Sequence, residues 1–327
     1  MPIIRRREFV KLLSGAAAHW PLGARAQQPT MAIVGLLSGV QLDDRQLSGV
    51  RQGLKEAGYI EGRNVAIKYR SASGRIDQLP ALAAELASDR VAVIITITPA
   101  AALAARSATA TIPIVFATGA DPVDLGLVAS LNRPGGNVTG VSFVVNALAA
   151  KRLELLRELV PRATAIGFLV NATNPTSPSQ TSDAQVAAAT LGLRLPVLSA
   201  NSESEIDAAF ESFTQQRVNA VIVGAYAFYS TRRDQFVLLA ARHAMPVIYH
   251  LREFVAAGGL MSYGTNITDA FRLAAGYAGR ILKGAKPGDL PVQQTAKFEL
   301  VINFRTAKAL GLAVPPTMQV AADEVIE

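Results

Sequence analysis

Strand-like apolar runs alternate with helix-like segments along most of the chain. Residues 91–98 and 112–118 are short runs rich in Val, Ile and Ala, which predict buried parallel strands. Other segments place apolar residues at helical spacing, as at Leu47, Val50 and Leu54. This alternation is typical of right-handed βαβ units, in which helices cover both faces of a parallel sheet.

The second half of the chain repeats this scheme with a different sequence. Strands are predicted at residues 165–170, 219–224 and 246–249, with helices between them. Two such series predict an α/β protein with two doubly wound, parallel-sheet lobes. A long amphipathic helix at 267–282 and a strand at 298–303 then indicate that the chain returns to the first lobe, which would create a hinge.

The predicted boundaries follow from this pattern. They are an export signal at 1–26, the first lobe at 31–140, the second lobe at 141–263, a return to the first lobe at 264–292, and a C-terminal strand and helix at 293–327 whose lobe stays open.

The first 26 residues have the composition of a cleaved export signal. The basic run Arg5-Arg6-Arg7 precedes a short apolar stretch, and Ala24-Arg25-Ala26 offers a cleavage site. The run from Arg6 to Lys11 (RREFVK) resembles the twin-arginine export motif, and an ordinary secretory signal is the alternative. The apolar stretch is too short and too diluted for a stable membrane anchor, so a periplasmic protein is expected.

The location of the charges along the sequence argues against a nucleic-acid-binding protein. The 327 residues include 32 Lys and Arg against 25 Asp and Glu, a net charge of +7. Cleavage after Ala26 would remove five basic residues and one acidic residue, leaving 27 against 24, or +3. That excess supplies no phosphate-binding stripe, so no nucleic-acid partner is expected. The absence of Cys excludes a disulfide scaffold and a thiol nucleophile.

Few residues in the chain suggest catalysis. Beyond the export signal there are two histidines, His243 and His250, and neither has the spacing of a metal ligand. The glycine-rich phosphate cradles and a nucleophile elbow are also missing from the sequence. We therefore expect no enzyme, no metal and no cofactor. A secreted α/β hydrolase working through Asp121 and Glu253 is the less favoured alternative.

Polar and aromatic residues follow the predicted strands. In α/β sheets, ligands bind beyond the carboxyl ends of the strands, beside helix N-termini. Hydroxyls there could hold a carboxylate, tyrosines could hold an apolar or aromatic body, and a glutamate could hold an amine. Local capping is the structural alternative for several of them, Thr98 above all. The candidates are Ser38, Thr98, Thr118, Asp121, Asn174, Tyr226, Glu253 and Tyr263.

Several motifs together carry a resemblance to a known family. They are Arg51-Gln52-Gly53-Leu54, Pro113-Ile114-Val115-Phe116, Asp121-Pro122, the run from Arg133 to Gly140 (RPGGNVTG) and Met261-Ser262-Tyr263-Gly264. With them, residues 31–315 resemble the substrate-binding proteins of ABC transporters that have the type I periplasmic-binding fold. RPGGNVTG is the most specific of these segments.

The resemblance implies two lobes joined by hinge strands, which close on a small solute and deliver it to a membrane permease. A monomer is expected. Some relatives bind aromatic or branched-chain amino acids, so an amino acid or related carboxylate is the expected ligand. A ligand-sensing module of a membrane signalling system shares this fold and stays an alternative. The resemblance places Ser38, Thr98 and Thr118 on the first lobe, facing Asn174, Tyr226, Glu253 and Tyr263.

Overall fold

The computed structural model describes residues 31–327 apart from 144–147, 175–176 and 296. The predicted export signal at 1–26 lies outside the described residues. From Ala32 onward the described residues belong to one compact unit that is built on two separate β-sheets.

The first sheet is entirely parallel and contains six strands within the described residues. Their order across the sheet is β11-β5-β4-β3-β1-β2. The strand bounds are β1 (Ala32–Ser38), β2 (Val65–Ser71), β3 (Val93–Ile97), β4 (Ile114–Thr118), β5 (Val138–Phe143) and β11 (Gln293–Thr295).

The second sheet is mixed and contains seven strands within the described residues. Their order is β13-β12-β10-β9-β8-β6-β7, and β12 runs antiparallel to β10. The strand bounds are β6 (Ile166–Val170), β7 (Val197–Ser199), β8 (Ala220–Val223), β9 (Val247–Tyr249), β10 (Met261–Thr265), β12 (Phe298–Asn303) and β13 (Glu324–Ile326).

Helices cover both faces of each sheet, as the alternating pattern predicts. The first lobe has α1 (Asp44–Glu56), α2 (Leu79–Ser88), α3 (Pro99–Ala108) and α10 (Ile267–Leu282). The second lobe has α4 (Ala149–Leu159), α5 (Ser177–Thr190), α6 (Glu203–Gln215), α7 (Ala227–Thr231), α8 (Arg233–Arg242), α9 (Arg252–Ala256), α11 (Phe304–Ala309) and α12 (Pro316–Ala321).

Each sheet separates two apolar layers. In β1, Val34 and Leu36 point into one layer of the first lobe, whereas Leu37 points into the other. This alternation follows from the two-residue period of a strand. Because both layers are apolar, the strands read as continuous hydrophobic runs in the sequence.

Among the described elements, the chain changes from one sheet to the other three times. The first passage follows Phe143, the second is at Asn266 between β10 and α10, and the third lies between β11 and β12. The first sheet extends past the predicted boundary at residue 140, because β5 stays paired with β4 up to Ser142. The C-terminal segment that begins at Gln293 is divided, with β11 in the first sheet and β12 in the second.

Helices α1 and α10 approach each other closely because small residues line their contact. A Cβ atom on Gly53 would lie 1.9 Å from the backbone oxygen of Arg272, and one on Gly49 would lie 2.5 Å from that of Thr268. Gly279 on α10 faces Ala57 in the same way, at 2.2 Å from its Cβ. Because these positions carry no bulky side chain, α10 packs closely against α1 and completes the core of the first lobe.

Replacement of Gly53 by Ala should force the two helices apart. We expect Gly53→Ala to lower the free energy of unfolding by about 1–3 kcal/mol, the usual effect of overpacking. Gly276→Ala on α10 is the matched control, because a Cβ there meets nothing within 4 Å. It should raise stability by up to about 1 kcal/mol through helix propensity. Denaturant titration checks both variants, and equal stability of Gly53→Ala and the wild type would contradict the close approach.

Candidate functional site

The carboxyl edge of the first sheet faces the carboxyl edge of the second sheet, at the junction between the two lobes. Helix α1 follows β1, helix α9 follows β9, and their first turns touch. The Nε2 of Gln46 donates a hydrogen bond to Oε1 of Glu253 at 2.8 Å. A ligand bound beyond the strand ends of either lobe would therefore lie between both lobes.

A capping box orients the Gln46 side chain for this contact. Asp43 accepts a hydrogen bond from the Gln46 backbone N–H at 2.8 Å, and Gln46 Oε1 accepts one from the Asp43 N–H at 3.2 Å. With its oxygen fixed by the start of the helix, the amide directs its nitrogen to Glu253.

Three predicted hydroxyl residues lie along the carboxyl edge of the first sheet. Ser38 ends β1, Thr118 ends β4, and Thr98 follows β3, which lies between them. Ser142 continues the row, because it pairs with Thr118 in the adjacent strand β5. Sequence reasoning missed Ser142 because it placed the lobe boundary inside this strand.

Each of these three predicted hydroxyls also supports the loop or helix that follows it. Ser38 Oγ donates to the Val40 oxygen at 2.6 Å. Thr98 Oγ1 accepts from the Ala101 N–H at 3.4 Å, and Thr118 Oγ1 accepts from the Ala120 N–H at 3.1 Å. The capping role that was the structural alternative for Thr98 is therefore present.

Thr98 has an unusual backbone conformation. Its φ of 91° lies in the region that favours glycine, which is rare for a β-branched residue. Gly39 lies against it, since a Cβ there would be 2.6 Å from Thr98 Oγ1. Strained residues of this kind cluster at ligand sites, where the surrounding fold holds them in place.

The two carboxylates of the hydrolase alternative are engaged in separate contacts. Asp121 is exposed, and its Oδ1 accepts hydrogen bonds from the N–H groups of Val123 at 2.7 Å and Asp124 at 3.3 Å. This carboxylate caps its own turn. Glu253 instead bonds to Gln46 across the lobes. The described hydrogen bonds do not join the two carboxylates in one catalytic arrangement.

Asn174 and Tyr226 come together on the second lobe. Asn174 Nδ2 donates to the Ala225 oxygen at 3.2 Å, which links the loop after β6 to the loop after β8. The ring centroid of Tyr226 lies 6.3 Å from that of Phe228 and 5.8 Å from that of Tyr229. Tyr229 is buried, and its hydroxyl lies 2.5 Å from the Val170 oxygen. This aromatic group is thereby fixed over the end of β6.

Tyr263 lies on β10, close to the passage into α10. Its ring centroid is 6.0 Å from that of Phe298, and the side chain is partly buried. Its backbone oxygen accepts a hydrogen bond of 2.7 Å from Nε of Arg152. This hydrogen bond connects the candidate Tyr263 to Arg152, a buried residue that was not among the predicted site residues.

Arg152 and His250 are buried at this edge of the second sheet. Arg152 is 1% exposed, and burial lowers the pKa of its guanidinium to about 10. Burial, together with the charge of Arg152, lowers the pKa of His250 to about 3. The sequence did contain a signal for Arg152, because Ala149, Arg152 and Leu156 fall on one face of a helix that is otherwise apolar there.

A polar cluster joins the lobes beside the hinge. Arg45 of α1 reaches Glu324 of β13, with Nη1 at 3.0 Å from Oε2, and Arg252 Nε contacts the same oxygen at 2.6 Å. Arg45 also lies 3.7 Å from Glu299 of β12. Asn266, at the second passage, donates to Glu299 at 2.8 Å.

The two glutamates of this cluster titrate in opposite directions. Hydrogen bonds from Arg252, assisted by Arg45, lower the pKa of Glu324 to about 2. Burial raises the pKa of Glu299 to about 7, although the charge of Arg45 opposes the shift. Arg45 is the less effective partner of Glu299 because it is held closer to Glu324.

The described part of the chain contains neither a cluster of metal ligands nor a helix that could span a membrane. These residues contain no group of three or more His, Asp or Glu side chains placed to hold a metal ion. Among the described helices, none combines the length and apolar character of a membrane span.

The profile of the family described as ABC transporter substrate binding protein matches residues 30–326. The chain belongs to this family. It is 29% identical over 269 residues to a tyrosine-binding protein of Clostridioides difficile (strain R20291), covering 82% of this chain and 77% of that protein.

Two solved structures also resemble the chain closely. One is described as an ABC domain from Streptococcus pneumonia in complex with L-Trp, with a TM-score of 0.79 and 28% identity. The other is the ligand-free, open structure of a substrate-binding protein with adhesive properties from Clostridium difficile, with a TM-score of 0.70 and 26% identity. Each comparison covers 90% of this chain and 99% of the other.

The family and the fold predicted from the sequence are therefore confirmed. The substrate-binding protein has two doubly wound α/β lobes of the type I periplasmic-binding class. The family consists of binding proteins rather than enzymes. The eight candidate site residues stay predictions, although most of them lie at the two facing edges.

Glu299 should make the stability of this substrate-binding protein depend on pH. A carboxyl with a folded pKa near 7 favours the folded state below its unfolded pKa, and loses that contribution as pH rises toward 7. We expect the free energy of unfolding to fall by on the order of 2 kcal/mol between pH 5 and 8 from this group. Glu324 contributes a constant amount there, because its transition lies at lower pH.

Denaturant titrations of Glu299→Gln at several pH values test this. Buried His250 adds an opposite trend to both proteins, because its lowered pKa makes stability rise with pH over the same range. The test is therefore the difference between variant and wild type, and the stability of Glu299→Gln relative to the wild type should rise by on the order of 2 kcal/mol from pH 5 to pH 8. Glu154→Gln, at an exposed residue of α4, is the matched control and should keep the wild-type pH profile. A difference between Glu299→Gln and the wild type that stays constant with pH would contradict the raised pKa of Glu299.

Proposed function

We propose that this substrate-binding protein serves a periplasmic ABC importer and binds an amino acid or related carboxylate between its lobes, with an aromatic L-amino acid as the first candidate. The observation that carries the proposal is the direct contact between the two carboxyl edges, made by Gln46 and Glu253. A small solute enclosed there would meet both lobes at once.

The two edges offer different chemistry. Thr98 and Thr118 present hydroxyls at the first-lobe edge, and Thr98 begins the ten-residue helix α3. Tyr226 and Tyr263 offer aromatic surface on the second lobe, and both are only partly buried. An aromatic amino acid could use both kinds of group, because it combines a ring with polar groups. Ser38, Asn174 and Glu253 are proposed as further ligand contacts, whereas Asp121 is engaged in its own turn.

The relatives support the same ligand class. One is named for tyrosine binding, and the solved structure with a TM-score of 0.79 contains L-Trp. The chain fits that complex better than the ligand-free open structure, whose TM-score is 0.70. This difference fits a closed arrangement of the two lobes, which are in contact in the present structure.

The transport role adds a partner and a location. The closed protein would deliver its ligand to a membrane permease, as the family assignment suggests. The predicted signal around Arg6 and Arg7 supports export to the periplasm. Twin-arginine export is the proposed route.

Ligand binding can be tested on the mature protein by thermal shift. L-Tyrosine or L-tryptophan at about 100 times its dissociation constant should add about 2.7 kcal/mol of stability. For a protein of this size we expect the melting temperature to rise by roughly 5 °C. p-Cresol, which lacks the carboxylate and the amine, is the control and should cause no shift. The absence of a shift with every amino acid and with 4-hydroxyphenylacetate would refute this ligand class.

Hinge closure can be tested by cross-linking, because the chain contains no native Cys. Arg45→Cys and Glu324→Cys place one thiol on each lobe at positions whose native side chains are in contact, and neither residue is a proposed ligand contact. Ligand should raise their cross-linking by a short bis-maleimide. Gln52→Cys with Glu56→Cys is the matched control, since both lie on α1 and their native side chains bond at 2.9 Å. Equal yields with and without ligand in the inter-lobe pair alone would argue against closure.

A further inference from the structure

We propose that Arg152 is the anion anchor of the inter-lobe site: its guanidinium, buried at the edge of the second sheet, binds the carboxylate of the ligand. The inference rests on the proposed function, because it assumes that the ligand occupies the space between the lobes. It assigns a role to a residue that lies outside the eight candidates.

The first argument is the unpaired state of the guanidinium. Arg152 Nε donates to the Tyr263 oxygen at 2.7 Å. Nη1 and Nη2 are buried and have no hydrogen-bond partner among the described residues. An arginine carries five N–H donors, so four are unsatisfied here. Leaving a buried cation in this state is costly, and proteins normally pair it with an anion.

The second argument is that the described residues supply no such anion. Arg152 forms no ion pair with Asp or Glu in the parts of the chain that the structure describes. The other buried basic group nearby is His250, which is held neutral by a pKa of about 3. The buried region around Arg152 therefore carries one uncompensated positive charge, which a single carboxylate would neutralise.

The third argument is location. Arg152 lies in the first turn of α4, just after the first passage between the lobes. Its partner Tyr263 lies on β10, three residues before the second passage at Asn266. His250 follows the carboxyl end of β9, and Gly264 approaches it so closely that a Cβ would lie 1.9 Å from its backbone oxygen. Arg152 thus sits where the carboxyl edge of the second sheet meets the hinge.

His250 is suited to assist an anion without adding charge. Its Nε2 lies 3.2 Å from Ser230 Oγ, whereas its buried Nδ1 has no partner among the described residues. A neutral imidazole can donate one hydrogen bond through that free nitrogen. Each side chain therefore has unused donor capacity: the guanidinium offers a fork that matches a planar carboxylate, and the imidazole offers one ring nitrogen.

The assignment narrows the ligand class. The first-lobe hydroxyls were the expected partners of a carboxylate, yet they already support their own loops. If Arg152 binds the carboxylate, the first-lobe hydroxyls would contact only the remaining polar groups of the ligand. Aromatic amines that lack a carboxylate should therefore bind poorly, even when the ring is the same.

Isothermal titration with L-tyrosine and tyramine tests this, because the two differ only in the carboxylate. The wild type should prefer L-tyrosine by at least about 30-fold, as expected for a charged hydrogen-bonded pair. Arg152→Met should reduce this preference to within about threefold. Arg157→Met is the matched control on the same helix, where Arg157 is only partly buried, and it should keep the wild-type preference.

The melting temperature without ligand separates anchoring from a structural role. Removal of an unpaired buried charge should leave the unliganded Arg152→Met protein at least as stable as the wild type. A large loss of stability with an unchanged preference for L-tyrosine would overturn the inference. If Arg152→Met fails to fold, Arg152→Lys keeps the charge but loses the fork, and should reduce the preference about tenfold. An unchanged preference there would also overturn it.

Failure of the proposed ligand class gives a different result. If the wild type binds neither L-tyrosine nor L-tryptophan but binds 4-hydroxyphenylacetate, the amino-acid proposal fails. Arg152→Met should then weaken 4-hydroxyphenylacetate by the same factor, and an equal affinity would refute the anchor. If the wild type binds no carboxylate at all, the Arg152 inference fails as well.

Discussion

The whole site depends on one constraint: two separate β-sheets must present the carboxyl edges of their parallel strands to each other. Neither edge encloses a ligand alone, because each is an open row of strand ends and helix starts. Three chain passages bring the edges together, and polar contacts such as Gln46 with Glu253 hold them in register. The groups that could recognise a ligand come from segments far apart in sequence.

The fold was largely predictable, because buried parallel strands are written as apolar β-branched runs. The lobe boundary was less predictable. The strand Val138–Phe143 belongs to the first sheet because it pairs with β4. Strand pairing is part of the tertiary structure and cannot be inferred from the hydrophobic periodicity of one segment. The same limit explains why Ser142 was missed while Thr118, at the end of a clearer run, was found.

The positions of the candidate residues along the sheet edges could be predicted from the sequence. The hydrogen bonds and the burial of their side chains could not. Thr98 and Thr118 lie at the expected edge, and their hydroxyls also bond the segments that follow them; capping by Thr98 was an open alternative that only the structure could decide. Asp121 is engaged in its own turn. Arg152 shows the opposite case: a charged residue on a helix normally faces water, and only its helical phase beside Leu156 hints at burial. Whether such a charge is paired is decided by distant segments.

The close packing of α1 against α10 has a consequence for how the chain is made. Helix α10 supplies Phe271, Ala274 and Ala278 to the core of the first lobe, but it follows the strand Met261–Thr265 of the second lobe. The second lobe is thus largely an insertion within the first. During synthesis the amino-terminal strands must wait, with an apolar face uncovered, until α10 has left the ribosome. A protein built this way favours late, nearly simultaneous completion of both lobes over stepwise folding from its start.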